Sequence, residues 1–273
     1  MYVAIDIGGT KTLIALLSVE GEIKQQVKFP TADDYQQFLK DVATNLQSLG
    51  EHTYKAGAAG VAGRLDRQAG VVVKCGNLSW QNEPLQHDLE RVVGCPFVIE
   101  NDGKAGGLGE AIPLLGEFKN VLFVTIGTGI GLAYIANGLI DLELIDGGGR
   151  TLMIEHEGTI QAWESFASGS AIVRQFGKKA SEITDPAAWE TITHNLAIGI
   201  LELLATITPD VIVIGGGVGA HFDKFGDLLQ QELGQYQTDL LNIPPLRPAQ
   251  HPEQAVIYGC YELIKQHDGK TAR

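Results

Sequence analysis

Two short apolar runs, Tyr2-Val3-Ala4-Ile5 and Leu13-Ile14-Ala15-Leu16-Leu17, are joined by the polar turn Asp6-Ile7-Gly8-Gly9-Thr10-Lys11. The pattern predicts a β-hairpin and loads its turn with chemistry. Adjacent glycines let the backbone approach a ligand closely and leave amide N–H groups free. Thr10 adds a hydroxyl, Lys11 a positive charge and Asp6 a metal-seeking carboxylate. A phosphate–Mg²⁺ site needs these groups. The competing reading is an ordinary tight hairpin in which Gly8 and Gly9 only supply positive φ.

The same design recurs near the middle of the chain. Setting Val3 to Leu13 above Leu122 to Leu132 aligns two apolar runs around an Ile-Gly turn, here Ile126-Gly127-Thr128-Gly129-Ile130-Gly131. A duplicated strand-turn-strand unit accounts for this, against the alternative of a chance likeness built on few identities. Two such turns facing each other across a cleft would hold a polyphosphate from both sides.

With 273 residues the chain suggests about two domains. A third strand is expected over Ile23 to Phe29, a helix from Asp33 to Leu49, and a strand from Tyr54 to Ala59 opening into a small-residue loop, Gly60-Val61-Ala62-Gly63. Val71 to Val73 reads as a strand, Pro84 to Val93 as a helix and Pro96 to Ile99 as a strand. That strand ends abruptly in Glu100-Asn101-Asp102. In α/β proteins ligands bind at the carboxyl ends of strands, so Asp102 is a candidate general base; helix N-cap is a compatible role. The small residues from Gly103 to Glu110 suit a tightly packed helix. Further on come a flexible glycine segment from Asp146 to Gly149, an acidic turn at Glu155-His156-Glu157-Gly158, and a helix from near Ala162 through Glu164 to Ala171. A second helix is expected over 187–207. The strand Val211 to Ile214 then breaks into Gly215-Gly216-Gly217, a pattern that suits nucleotide contact. A last helix runs to about Lys265, with a frayed polar tail from His267.

The formal net charge of −13 argues against a nucleic-acid partner. Cys75, Cys95 and Cys260 stand too far apart for a metal motif or a disulfide framework. No apolar run approaches the roughly 18 residues of a membrane span, and Asp6 and Lys11 interrupt any leader-like segment. A cytoplasmic protein is expected.

Taken in order, Asp6 to Lys11, Asn77-Leu78-Ser79-Trp80, Glu100-Asn101-Asp102, Ile126 to Gly131, Glu164-Ser165-Phe166-Ala167-Ser168-Gly169 and Ile214 to Gly217 resemble the motifs of the ROK family of sugar kinases and repressors. The resemblance runs nearly end to end. It implies an α/β chain with the actin-like ATPase (ribonuclease H-like) fold: an N-terminal domain over 1–112, joined by a C-terminal helix at about 256–267, and a C-terminal domain over 113–255. It implies ATP and Mg²⁺ in a central cleft, a small-molecule sugar as acceptor and a homodimer. By that likeness Asp6 holds Mg²⁺ through water, and Gly8, Gly9, Thr10, Lys11, Gly127, Thr128 and Gly129 embrace the phosphates. Gly215, Gly216 and Gly217 lie against the adenosine. Gly63, Asn77, Asn101 and Glu164 contact the sugar, and Asp102 takes the proton of the attacking hydroxyl.

The sequence departs from the family in one place. Gly149 to Met153 stand where the family carries Gly-Glu-x-Gly-His, and no cysteine lies between Cys95 and Cys260 to build the family's zinc loop. No structural zinc is therefore expected there. Glu155, His156 and Glu157 are candidates to replace the lost sugar ligands; the alternative is a solvated acidic turn. The leading expectation is an ATP-dependent kinase acting on a hexose, amino sugar or related sugar. A catalytically weak nucleotide- or sugar-binding relative is the alternative. A sugar-responsive regulator is less favoured, because no basic recognition helix is visible.

Overall fold

The computed structural model describes residues 1–143 and 147–271. The chain forms two compact units, Met1–Gly109 with Gln254–Arg273, and Glu110–Glu253. The first runs through β1 (Tyr2–Ile7), β2 (Lys11–Leu17), β3 (Ile23–Pro30), α1 (Tyr35–Ser48), β4 (Ala56–Val61), β5 (Gly63–Asp66), β6 (Val71–Cys75), β7 (Gln81–Glu83), α2 (Leu85–Val93), β8 (Phe97–Asn101) and α3 (Asp102–Ala111). The second comprises β9 (Asn120–Ile126), β10 (Ile130–Ala136), β11 (Leu139–Ile140), β12 (Met153–His156), β13 (Thr159–Ala162), α4 (Glu164–Ala167), α5 (Gly169–Phe176), α6 (Pro186–Leu204), β14 (Val211–Gly215), α7 (Gly216–Gly219), α8 (Phe222–Gly234) and β15 (Leu246–Pro248). The last helix, α9 (Ala255–Thr271), belongs to the first unit. No described helix is long and apolar enough to cross a membrane.

The repeat seen in the sequence is built twice in space. One sheet has the order β3-β2-β1-β4-β8 and the other β11-β10-β9-β14-β15. In each, the hairpin is antiparallel and its first strand pairs in parallel with a strand much later in the chain, β1 with β4 and β9 with β14. Parallel neighbours need a long crossover, which is why the matching strands lie so far apart in sequence.

Strand alternation then assigns faces. Val3, Ile5 and Ile7 pack with Phe38, Val42, Leu85 and Leu89 of α1 and α2, whereas Tyr2 and Ala4 pack with Ile257, Cys260, Tyr261 and Ile264 of α9. Those α9 residues recur at helical spacing, and this docking carries the helix to Thr271, beyond the end near Lys265 and through the tail expected to fray. Ala272 and Arg273 lie outside the described residues.

Four other local expectations are corrected. Gly60 and Val61 are not loop but the end of β4, which pairs on both sides, Gly60 with Asp6 and with Glu100; ladder bonds on two edges override the glycine's weak strand preference. Gly63 likewise opens β5. The helix expected through Ala171 breaks at Ser168, which is extended and whose hydroxyl accepts the Ala171 N–H to start α5. The acidic turn is the tip of the β12–β13 hairpin, where Glu157 (φ 51°) and Gly158 (φ 78°) both take the left-handed conformation of a tight two-residue connection. Of the glycine segment, Asp146 lies outside the described residues, and Gly148–Arg150 form a single 3₁₀ turn.

The small residues of α3 do serve close packing. A Cβ on Gly259 of α9 would fall 1.7 Å from the Ala105 carbonyl oxygen, and one on Gly109 would fall 2.4 Å from that of Ala255. Two helices thus meet backbone to backbone. Gly259→Ala forces them apart, and we expect a loss of about 3 kcal/mol, at the upper end for overpacking, read as an earlier midpoint in a denaturant melt.

Candidate active site

The β1–β2 turn is braced from outside its own hairpin. Gly8 N–H donates to the Lys11 carbonyl (3.1 Å), Thr31 N–H to the Thr10 carbonyl (3.1 Å) and the Thr31 hydroxyl to the Gly8 carbonyl (2.8 Å). Thr31 in turn shares a hydrogen bond with the buried Thr12 (2.9 Å). Neither Gly8 nor Gly9 has positive φ, so the simple-turn explanation for the glycine pair fails. Their purpose is closeness. A Cβ on Gly9 would sit 2.7 Å from the Cβ of Asn77. Thr10 and Lys11 are exposed at the tip.

Asn77 reaches this place because its neighbours are anchored. Leu78 and Trp80 are buried, the Trp80 indole N–H donates to the Asp33 carbonyl (3.0 Å), and Ser79 N–H donates to the Asp33 carboxylate (2.7 Å). Asn77 itself is exposed. At the end of β8 the Asn101 side chain donates to the Gly63 carbonyl (3.1 Å) and accepts the Lys104 N–H (3.2 Å), so Asn101 caps α3. The cap role considered for Asp102 therefore falls to its neighbour. Asp102 occupies the first turn of α3, partly buried, with Oδ1 accepting Gly103 N–H (2.9 Å).

Asp6 lies under the influence of Asp102. Burial, then the Asp102 carboxylate, push Asp6 up to about 7, with Lys28 opposing. Burial also raises Asp102, against the stabilising amides of its own helix turn. A second carboxylate acting on a buried Asp6 is a poor arrangement unless a cation or a proton offsets it.

In the second unit the β9–β10 turn closes similarly, Gly127 N–H donating to the Gly129 carbonyl (2.9 Å). Closing each turn uses the N–H of Gly8 and of Gly127, so the Gly8 amide expected to be free is engaged. Gly169, at the start of α5, donates to the Gly127 carbonyl (2.8 Å). A Cβ on Gly129 would lie 2.2 Å from Glu164 Oε2, which accepts the Ile130 N–H (2.9 Å). Glu164 is set by Trp163, fully buried over Gly199 of α6, its indole donating to the Asn195 carbonyl (3.0 Å). Gly216 has φ of 80° and stacks against the Ile126 backbone, where a side chain has no room; among the described residues, chain neighbours apart, nothing comes within 4 Å of a Cβ on Gly127 or Gly217.

Three features of the site were not read from the sequence. Thr31 braces the first turn, but a lone Thr after a strand carries no signal. Arg150 donates from Nε and Nη2 to Glu164 Oε1 (both 3.2 Å). Arg67 grips Glu100 at the base of Asn101. Charged residues of opposite sign far apart in sequence pair in too many ways to be matched without the fold.

The divergent loop is occupied by packing. A Cβ on Gly149 would meet that of Ile130 at 2.8 Å, and at the next position, where the family's glutamate is expected, Arg150 turns its guanidinium to Glu164. His156 stacks on Phe166 (centroids 3.9 Å apart, planes 7°), and its Nε2 lies 3.3 Å from Asn195 Oδ1 and its Nδ1 3.3 Å from Gln161. Glu155 accepts the Gly158 N–H (2.7 Å) and closes the hairpin.

These parts, a twice-built sheet with a glycine turn in each copy and a carboxylate at the head of α3, define an actin-like ATPase fold. A ROK family glucokinase from Streptomyces griseus, solved with glucose and AMPPNP, superposes with a TM-score of 0.83 at 23% identity, over 97% of this chain and 99% of that one. The ROK family model matches residues 2–267, and the chain belongs to the ROK family. Among its relatives is a glucokinase of Streptomyces coelicolor, 24% identical over 98% of both chains. An N-acetylmannosamine kinase of Vibrio vulnificus is 29% identical over 80% of this chain and 83% of its own.

No group of three or more metal-ligating side chains occurs among the described residues, and stacking and hydrogen bonds hold the β12–β13 hairpin. Where a structural zinc carries folding energy, chelation unfolds the protein. Here we expect the melting temperature of the ligand-free protein to be the same with and without a strong zinc chelator; a fall would reveal a structural metal.

Proposed function

We propose that this chain is an ATP-dependent sugar kinase that transfers the γ-phosphate to a hydroxyl of a hexose, amino sugar or related sugar. The observation that carries the reading is Asp102, a carboxylate of raised proton affinity at the head of α3, beside the Asn101 cap and electrostatically coupled to Asp6.

Phosphoryl transfer asks a protein for positioning and charge neutralisation more than for covalent help. Asp102 orients the acceptor hydroxyl and accepts its proton late, as the bond to phosphorus forms, because a sugar hydroxyl is far too weak an acid to lose its proton first. A raised proton affinity suits that task. Asn77 and Asn101 hydrogen-bond sugar hydroxyls, Gly63 lets the sugar pass near the backbone, and Glu164, locked by Ile130 and Arg150, accepts from a hydroxyl. Gly9, Thr10 and Lys11, and Thr128 and Gly129, offer donors to phosphate oxygens, while Gly8 and Gly127, whose N–H groups close the turns, let the phosphates come near the backbone. Gly215, Gly216 and Gly217 receive the adenosine. The empty space around a Cβ at Gly127 and Gly217 supports close approach of a ligand, since no protein atom forbids a side chain there.

The residues fit a magnesium ion. Asp6, raised to about 7 partly by Asp102, lies where two carboxylates lack a counter-charge, and Mg²⁺ is commonly held by one or two carboxylates with water and phosphate completing its shell. Bound there, the ion would neutralise charge on the phosphates.

Removing a general base costs about 10²–10⁴ in rate. Asp102→Asn is expected to lower sugar-dependent ADP release by that range, while calorimetry shows ATP–Mg²⁺ binding nearly unchanged. An Asp102→Asn protein with most of its activity refutes the base assignment. No stimulation of the wild type by any member of a panel of neutral, amino and N-acetylated sugars refutes the kinase reading.

A further inference from the structure

The end of β8 carries an ion pair that phosphoryl transfer does not itself require. Arg67, in the turn between β5 and β6, donates from Nε to both oxygens of Glu100 (3.0 and 2.9 Å) and from Nη2 to Oε1 (2.6 Å). The Glu100 side chain is 7% exposed and that of Arg67 24%. Glu100 Oε1 also accepts the backbone N–H of Asn101 (2.7 Å). One buried carboxylate therefore joins a guanidinium to the Glu100–Asn101 peptide, one residue before Asp102.

The turn that offers Arg67 is itself fixed. Asp66 Oδ1 accepts the Ala69 N–H (3.0 Å), Gly70 has φ of 67°, and the Gly70 carbonyl accepts the Gln86 N–H at the start of α2 (3.1 Å). The same hairpin supplies the Gly63 carbonyl to the Asn101 side chain (3.1 Å). Residues 100 and 101 are thus both tied to the β5–β6 hairpin, one through Arg67 and one through Gly63. A buried ion pair adds little net stability compared with apolar packing of the same volume, because desolvation offsets attraction. A guanidinium held by both carboxylate oxygens does supply orientation, which a point charge cannot.

We propose that Arg67 is a positioning residue: through the Glu100 side chain it fixes the Glu100–Asn101 peptide that leads into Asp102, and so aims the Asp102 carboxylate at the acceptor hydroxyl. The inference rests on Asp102 acting as the base. Arg67 itself touches no reacting atom in this scheme.

Misplacement of a catalytic group by about 1 Å can cost on the order of 10²-fold in rate. Arg67→Met is therefore expected to lower kcat about 10- to 100-fold with ATP affinity unchanged, and Arg67→Lys to lose less. The decisive comparison is a cycle. If Arg67 acts through Asp102, Arg67→Met is silent in the Asp102→Asn background; losses that multiply, or an Arg67→Met kcat equal to wild type, overturn the proposal. A melt of each variant identifies misfolding, and Glu100→Gln, which keeps the acceptor for Asn101 but loses the charge, enters the cycle in place of any Arg67 variant that fails to fold. Hydrogen exchange gives a readout independent of turnover. Arg67→Met should speed exchange at the Asn101 and Gly103 amides and leave Ala58 and Ala59 in β4 alone. A wild type without sugar-stimulated ADP release refutes the kinase reading, and the exchange data then decide the clamp alone: unchanged protection at 101 and 103 overturns it.

Discussion

Three strands of the first unit run parallel and end level. In the ladder Asp6 pairs with Gly60 and Gly60 with Glu100; one residue on, Ile7 pairs with Val61 and Val61 with Asn101. Register of this kind is set by burial, because a one-residue slip would turn Val3, Ile5 and Ile7 out of the core that α1 and α2 cover. The consequence is chemical. The turn after β1 and the first turn of α3 after β8 open at the same edge of the sheet. Gly60 stands between them, where an added Cβ would come within 3.4 Å of the Asp102 Cα. Every functional statement about the first unit depends on that alignment.

The alignment also creates an electrostatic problem. It brings Asp6 under the influence of Asp102 in a place too dry to screen them, in a chain already carrying a formal charge of −13. Such a site is receptive to a divalent cation brought by a polyphosphate, and it needs no basic surface to attract one. The overall acidity that speaks against a nucleic-acid partner is compatible with the proposed nucleotide for this reason: in that reading local amides and a cation would do the binding, while the net charge acts at longer range and is screened by salt.

In the loop that diverges from the family, packing and hydrogen bonds hold the chain. With no cysteines available, the β12–β13 hairpin holds itself by a left-handed two-residue tip, and is fastened to the second unit's core by the His156–Phe166 stack and the hydrogen bonds to Asn195 and Gln161. The histidine is committed to that anchorage. Arg150 in the adjoining turn is engaged with Glu164 at the same time, so the polar character of this wall is that of an ion pair, not of a lone carboxylate.

Much of the fold was legible in the sequence because local periodicity and turn chemistry act over a few residues. The hairpins around Gly8 and Gly127, the helix α1 and the helix opened by Asp102 all follow from patterns a strand or helix must obey. Misreadings came where tertiary contacts outweighed those rules: glycines inside β4 kept in strand by pairing on both edges, a helix cut at Ser168, and a polar tail kept helical by the docking of α9. Among site residues, Asp6, Asn101 and Asp102 announced themselves as polar groups at the ends of apolar runs, and Glu164 came from the family likeness. Thr31, Arg67 and Arg150 did not, since their partners lie 23, 33 and 14 residues away along the chain. The sequence by itself determined which groups were available: two glycine turns, a carboxylate at a strand's end and no metal-binding cysteines. Only the tertiary structure decided which of them meet, because parallel register and buried ion pairs are long-range contacts, selected by the packing of whole faces and not by any short stretch of residues.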